Sequence, residues 1–550
     1  MVRNANARAT VRAIPGTLGS LAYAEPVRAA LLAAVVAVPL AAFGPPGGDM
    51  PAHLYRTMLV DEGVLVWDNL WYGGHYPLAS YSLLYYLPAT VFGNLPLAVA
   101  AVIISAALFA SISFAEWGAR AVWPTRVFAV LASGSIFTGT YTYALGLAAL
   151  LAAIRALQAR RPWFALAAAT LCIGFSPLAY VFLCLACSAI ALARGRLDRL
   201  TIVVGIGLAL LAGLQASAIW LFPHEAVYPF RLFELGVVVT VSALGAALAL
   251  RGERARVLAA LFALWAVLSV VVFVVPSPIG ENVTRLRGIV FALVLLAAVL
   301  ARFRPLWLAV PALALALGYN LVPYVAVIPY RTDGRPAEEA YWEPAFDFLR
   351  EQDPGYRVEV VPTGDHWEAY WVPRAGFALA RGWYRQLDIA QNPLFYEEPL
   401  QPEEYRAWLR DLGVRYVLLP DTQLGRMGEE REAELLASGG SGLQEVFRSD
   451  DWRIYELPRA EPILTGPGDA SLSEIEHERI AGSLPTPGEY RLRVRYTRYW
   501  RVESGRLCLT EAPDGMTVLR ARAPGPFALE LDESPGALVR AAIGRSPTGC

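Results

Sequence analysis

The chain contains no lysine: all 47 of its basic residues are arginine. A lysine-based phosphate loop, a Schiff-base lysine and a serine/lysine dyad are excluded on that ground. Charge of either sign is scarce, at 17% of 550 residues against 56% hydrophobic, whereas a water-soluble protein carries about 25% charged residues. A small soluble enzyme is excluded as well. Cys172, Cys184, Cys187, Cys508 and Cys550 are too few and too scattered for a disulfide scaffold. Cys184 and Cys187 form a CxxC, but inside an apolar run where thiols pack as small hydrophobes. No basic, aromatic-interleaved patch marks a nucleic-acid partner.

The charge that is present divides the chain. Residues 1–330 hold 21 arginines and 11 acids, whereas residues 331–550 hold 26 arginines and 37 acids. The first part has membrane composition and the second that of a soluble region. Apolar runs long enough to span a bilayer lie near 27–44, 94–114, 126–140, 141–158, 162–175, 177–193, 200–221, 232–250, 257–275, 287–301 and 306–326, about eleven spans. Arg3, Arg8, Arg12 and Arg28 place the N-terminus in the cytoplasm, because retained loops keep their arginines. Alternating from there, the clusters at Arg120/Arg126, Arg155/Arg160/Arg161, Arg194/Arg196/Arg199, Arg251/Arg254/Arg256 and Arg302/Arg304 all fall inside. Loops 45–93, 222–231 and 276–286 and everything after 327 then fall outside. The expectation is a polytopic α-helical membrane protein of the cell membrane, with residues 1–330 in the bilayer.

The tail divides again. Residues 331–469 alternate helix and strand, with helices at 344–351 and 402–412 and strands at 357–361 and 415–419, an extracytoplasmic α/β region. Residues 470–550 carry short alternating runs at 490–496, 508–510, 517–522 and 527–531, as in a small β-sandwich. Arg491, Arg493 and Arg495 alternate there and read as its solvated face.

Chemistry concentrates in the first outer loop, which is too long for a simple connector. It reads Gly47-Gly48-Asp49-Met50-Pro51-Ala52-His53-Leu54-Tyr55-Arg56, then Trp67-Asp68-Asn69-Leu70-Trp71-Tyr72-Gly73-Gly74-His75, and returns through Tyr81, Tyr85 and Tyr86. If the chain after Pro51 is helical, His53 and Arg56 share a face beside Asp49, forming a site for a sugar hydroxyl and a phosphate. The competing reading is an interfacial loop with Trp and Tyr at headgroup level and an aspartate capping a helix. Asp68 reads as a capping or positioning residue whose amide variant is mild in effect.

This order of elements resembles the bacterial membrane proteins labelled 6-pyruvoyl-tetrahydropterin-synthase-related, which are grouped with the GT-C membrane glycosyltransferases. Gly376 to Asp388 and Gly413 to Asp421 are similar to tails of such proteins. The resemblance implies a GT-C-like bundle, an acidic catalytic base in the first outer loop, a polyprenyl-phosphate sugar as donor and inversion at the anomeric carbon. Asp49 matches the base, and Trp71, Tyr72 and His75 join the implied substrate-binding set. The adjacent acidic pair of several GT-C families is missing, since Asp61-Glu62 follows twelve residues later, so a divalent metal stays open.

Two further outer loops can complete such a site. His224-Glu225 and Arg285 with Arg287 sit at span ends, where an arginine entering the membrane needs a phosphate or an acid, or snorkels to the interface. Arg381, Trp383, Tyr384, Arg385 and Gln386 read either as a sugar-stacking surface or as the contact by which the tail docks on the membrane part. The leading expectation is transfer of a lipid-phosphate-linked sugar to an envelope glycan or lipid on the outer face, with the bilayer, the donor and the glycan acceptor as partners. Its rivals are a lipid or glycan transporter or flippase, and a non-catalytic envelope assembly protein with the same fold.

Overall fold

The computed structural model describes residues 15–550 apart from 75, 78–80, 196–197, 223–225, 329–332, 398, 426 and 545–549. A bilayer core offers no water to satisfy backbone N–H and C=O groups, so apolar runs of this length resolve as helices. Nine segments among the described residues are long and apolar enough to cross a membrane. The first is α1 (Pro15–Phe43). Two shorter helices of the first loop follow, α2 (Met50–Asp61) and α3 (Tyr86–Phe92).

The apolar segment 94–138 is a hairpin: α4 (Asn94–Trp117) turns through Gly118–Ala121 and returns as α5 (Val122–Leu131) and α6 (Gly134–Thr138). Phe109 on the first leg stacks on Phe128 of the second at 4.2 Å. The expected single span at 126–140 is thus a broken return leg. After it come α7 (Tyr141–Gln158), the 14-residue α8 (Pro162–Phe175), α9 (Pro177–Arg194) and α10 (Arg199–Leu221). The bundle closes with α11 (Leu232–Ala249), α12 (Arg256–Val274), α13 (Arg287–Leu300) and α14 (Leu306–Val327). Counted as legs between its two ends, these make eleven among the described residues.

The arginine-rich turns gather at one end. Arg120 and Arg302 share Glu253 at 2.8 and 3.0 Å, Arg126 pairs with the fully buried Glu25 at 2.8 Å, and Arg160 approaches Asp198 at 3.7 Å. The sheet-rich tail sits at the other end. The Tyr499 hydroxyl donates to the Leu221 carbonyl at 2.8 Å, and Val227 N–H donates to the Gln386 carbonyl at 3.2 Å.

The tail opens with a four-stranded sheet, β3 (Arg357–Val360), β4 (Val414–Pro420), β5 (Gln444–Arg448) and β6 (Trp452–Glu456), where β1 (Trp67–Asp68) and β2 (Tyr76–Pro77) form a small ladder in the first loop. The order is β3-β4-β6-β5, parallel between β3 and β4 and antiparallel elsewhere. Helix Pro402–Leu412, opened by Glu403 and Glu404 and closed by Gly413 at φ 73°, leads into β4. Two antiparallel four-stranded sheets follow. One contains strands Leu464–Thr465, Gly488–Arg495, Leu507–Glu511 and Met516–Ala521, and the other Ser471–Ile475, Arg479–Leu484, Trp500–Ser504 and Gly525–Leu531. Cys508 is joined to Cys550 by a single disulfide, while Cys172, Cys184 and Cys187 are free. Such bonds belong to oxidising compartments. Arg493 is also not on a solvated face: it is buried, and it donates to the Arg410 and Pro462 carbonyls where the two sheet regions meet.

The first outer loop is wedged between the bundle and the tail. Trp71 stacks on Tyr55 at 4.4 Å and donates to the Ala369 carbonyl at 3.0 Å, while Leu379 N–H donates to Leu70 and Arg495 N–H to Gly73. At the centre of the wedge Asp68 is fully buried. It accepts from the Tyr55 hydroxyl at 2.8 Å and Leu70 N–H at 3.1 Å, and it pairs with His477 Nδ1 at 2.8 Å. Burial opposes charge on His477, but the Asp68 bond and charge, with Glu62 at 3.5 Å, hold its pKa above the usual value.

Two outcomes are expected. With the three free cysteines replaced, an impermeant thiol reagent applied from outside the cell modifies Arg231→Cys and spares Arg254→Cys; the reverse pattern contradicts the orientation that the arginine bias requires. Asp68→Asn lowers the stability of the tail by about 3 kcal/mol in thermal or denaturant unfolding, not mildly, because it breaks a buried charged pair. The His477 contribution is fully present below its unfolded pKa near ~6.5 and is lost as pH rises through the raised folded value, so this pH dependence disappears in Asp68→Asn.

Candidate active site

Asp49 is the residue just before α2, the place where an aspartate commonly caps. Its carboxylate makes no capping hydrogen bond. Two glycines fix its position. Gly139, at φ 78° in the turn from α6 to α7, lies so close that a Cβ on it would be 2.5 Å from the Asp49 backbone nitrogen, and a Cβ on Gly47 would be 2.5 Å from the Gly139 Cα. Backbone packed on backbone leaves the Asp49 side chain directed into a cavity of about 280 Å³, which lies where the bundle end, the first loop and the tail meet.

Four expected residues converge on this cavity: Asp49, His53, Arg56 and Arg285. Arg285 Nη2 lies 3.9 Å from Asp49 Oδ2, and Arg285 Nε donates to Asn282 at 2.9 Å. Arg56, three residues after His53 on the same face of α2, is buried with its guanidinium 4.5 Å from the Tyr86 ring centre. His53 plays a different part from the expected phosphate stabiliser. Its Nε2 faces the Gly139 carbonyl at 2.9 Å, which can only accept, so Nε2 carries the proton and Nδ1 accepts from the Tyr86 hydroxyl at 3.1 Å. Burial pushes its pKa down to about 4, and the ring is a neutral strut between α2, α3 and α7.

The remaining candidates are elsewhere. Trp71 and Tyr72 are buried in the wedge; the Tyr72 hydroxyl donates to the Tyr384 carbonyl and accepts from Tyr384 N–H, which is docking rather than substrate contact. Arg287, the first residue of α13, faces Glu234 of α11 at 3.9 Å and is not on the cavity wall. His75, His224 and Glu225 lie outside the described residues.

The stretch from Gly376 to Asp388 does two jobs. Arg381 is internal to the tail, held between Glu359 and the 2.7 Å contact with Glu432, which also accepts from Tyr405. Trp383, Tyr384, Arg385 and Gln386 reach the cavity. Arg385 is positioned by a chain of bonds: Glu368 accepts from His366 Nδ1 at 3.0 Å, and His366 Nε2 accepts from Arg385 at 3.2 Å while its ring stacks on Trp383 at 3.6 Å. Thr140, Thr142 and Tyr228 also line the cavity and were not singled out in the sequence. The signal for the two threonines is the polar break at 138–142 between two apolar runs.

Among the described residues Asp49 is the one acid lining this cavity, beside Arg56, Arg285 and Arg385. Among the described residues no group of three or more His, Cys, Asp or Glu side chains could hold a metal ion. One carboxylate among three guanidiniums does not fit the oxygen-rich set that a divalent cation needs. It fits a phosphate bound by arginines beside a carboxylate left to accept a proton.

The His53 strut has a measurable consequence. Its folded pKa lies below the unfolded value, so its contribution is present above about pH 6.5 and is lost as pH falls through about 4. Unfolding of the wild type is expected to show a loss approaching roughly 3 kcal/mol across that window, and His53→Gln to flatten it. An unchanged profile in the variant contradicts the neutral-strut assignment.

No family model and no curated protein matches the chain. Among solved structures, it is similar to a single-particle cryo-EM structure of the arabinofuranosyltransferase AftD from mycobacteria, at 14% identity and a TM-score of 0.46, over 85% of this chain and 41% of that one. A mutant form of the same enzyme matches at 16% identity and a TM-score of 0.41, over 85% and 43%. The chain spans less than half the length of these neighbours.

Proposed function

We propose that the chain is a membrane glycosyltransferase of GT-C type that takes a sugar from a polyprenyl-phosphate donor and gives it to an envelope glycan or lipid at the outer face. The observation that carries this reading is the Asp49 carboxylate: it stands at a helix start without capping it, in a cavity whose other charged groups among the described residues are arginines. A carboxylate relieved of a structural bond is available to accept a proton.

In this reading Asp49 removes the proton from an acceptor hydroxyl. The oxygen attacks the anomeric carbon from the side opposite the phosphate, the bond from that carbon to the phosphate oxygen breaks, and the configuration inverts. Negative charge grows on the departing lipid phosphate, where Arg285, Arg56 and Arg385 are placed to stabilise it. Tyr228, on the cavity wall, supplies a face for a sugar ring. One carboxylate among three guanidiniums does not fit a divalent cation, so no step is routed through a metal. The disulfide and the arginine-poor loops support the outer side as the working face.

Asp49→Asn tests this reading. Losing a general base costs about 10² to 10⁴ in rate, or roughly 3 to 5 kcal/mol of transition-state stabilisation. The variant is expected to fold with stability within about 1 kcal/mol of the wild type, since no structural hydrogen bond of the side chain is lost. Sugar transfer from a polyprenyl-phosphate donor by the full chain in nanodiscs is the measurement. Wild-type transfer by Asp49→Asn removes Asp49 as the base.

A further inference from the structure

A second and larger cavity, about 690 Å³, lies inside the bundle between α4, α7, α9, α12 and α13. Its walls are mostly apolar, with Leu147, Leu150, Leu151, Leu185, Leu261 and Leu293 among them. Along α7 it runs from Tyr143 to Gln158, about 22 Å at ~1.5 Å per residue. That exceeds the ~15 Å that one leaflet contributes to a hydrocarbon core of ~30 Å. Walls of this kind offer dispersion contacts to a hydrocarbon chain.

The charged groups on its lining are all at the arginine-rich end: Glu116, Arg194, Arg254 and Arg256. Elsewhere at that end Arg120, Arg126, Arg160 and Arg302 pair with Glu253, Glu25 or Asp198, and the further unpaired arginines there, such as Arg161 and Arg251, do not line the cavity. Among the described residues Arg194, Arg254 and Arg256 have no acid within ion-pair distance, and all three are exposed. Arg256 also opens α12, whose cap residue Ala255 offers no side-chain hydrogen bond. A cation at a helix N-terminus is unfavourable, and an anion there is favourable. The rim therefore carries three positive side chains and an uncapped helix start against one acid.

We propose that this cavity binds an anionic phospholipid from the leaflet at the arginine-rich end, with one acyl chain between α7, α9 and α13 and its phosphate at Arg194, Arg254 and Arg256. Basic pockets between membrane helices recognise acidic headgroups in this way. The headgroup end lies at the opposite end of the bundle from the Asp49 cavity, although the inner end at Tyr143 and Leu286 adjoins Thr142 and Arg285 of that cavity, and the proposal does not depend on the glycosyltransferase reading. The bound chain acts as packing, filling the space between the α4–α7 side and the α12–α13 side.

Native mass spectrometry of the full chain, titrated with phosphatidylglycerol or with phosphatidylcholine of the same acyl length, tests the proposal. One phosphatidylglycerol is expected to be retained at least ten times more tightly than phosphatidylcholine. The combined variant Arg194→Gln, Arg254→Gln, Arg256→Gln is expected to remove that preference. Ala186→Phe, which places a ring in the cavity, is expected to lower retention at least tenfold, and Ala193→Phe, nearer the rim, serves if Ala186→Phe does not fold. Equal retention of the two lipids, an undiminished preference in the arginine variant, or undiminished retention in the filled variant each overturns the proposal. So does one-for-one displacement by a polyprenyl monophosphate that survives loss of the three arginines, which would make the cavity a channel for an isoprenoid tail.

Discussion

The carboxylate of Asp68 has no contact with solvent, and the placing of the candidate site depends on how its charge is satisfied. A buried carboxylate without partners is strongly unfavourable. Here the partners come from three parts of the chain: Tyr55 on α2, the adjacent Leu70 amide, and His477 from the sandwich. Satisfying one charge therefore ties the first outer loop to the tail. With the loop held, α2 is fixed from both sides, by Tyr55 toward the tail and by His53 toward Gly139 and Tyr86, and Asp49 is presented at its start.

The polar residues around the cavity divide into struts and more loosely held groups. His53 and Tyr72 have their polar atoms occupied by the chain itself. His366 is occupied too, and its bonds aim Arg385. Asp49 and Arg285 are joined only across 3.9 Å, a distance at which a bound phosphate or hydroxyl can intervene. The cavity thus combines rigid surroundings with a loosely paired acid and base, an arrangement suited to a group that must accept a proton beside a leaving anion.

Much of the fold could be read from local pattern. Most of the membrane helices follow from apolar length, the helix at 402–412 from its acidic start and closing glycine, and strands such as 357–360 and 488–495 from their local pattern, whereas those at 444–448, 452–456, 471–475, 479–484 and 500–504 were not read. What escaped is non-local. Asp68 looked like a loop cap because its decisive partner, His477, lies 409 residues away. Arg493 looked solvated because alternation identifies a face but not the neighbouring sheet region that covers it. Arg285 and Arg287 were both candidates for a phosphate, yet two residues of helical rotation turn side chains to opposite sides, Arg285 toward Asp49 and Arg287 toward Glu234. The pairing of Asp49, His53 and Arg56 was legible from their spacing, whereas the approach of Arg385 required the fold of the tail.

The most direct measurement is a cryo-EM structure of the full chain in a lipid nanodisc with a non-transferable polyprenyl-phosphonate sugar bound. The account predicts that the phosphonate lies within hydrogen-bond distance of Arg285 and of Arg56 or Arg385, with the anomeric carbon facing Asp49 across a gap wide enough for an acceptor hydroxyl. A phosphonate seated away from this cavity, or a sugar turned so that its anomeric carbon faces away from Asp49, would contradict it.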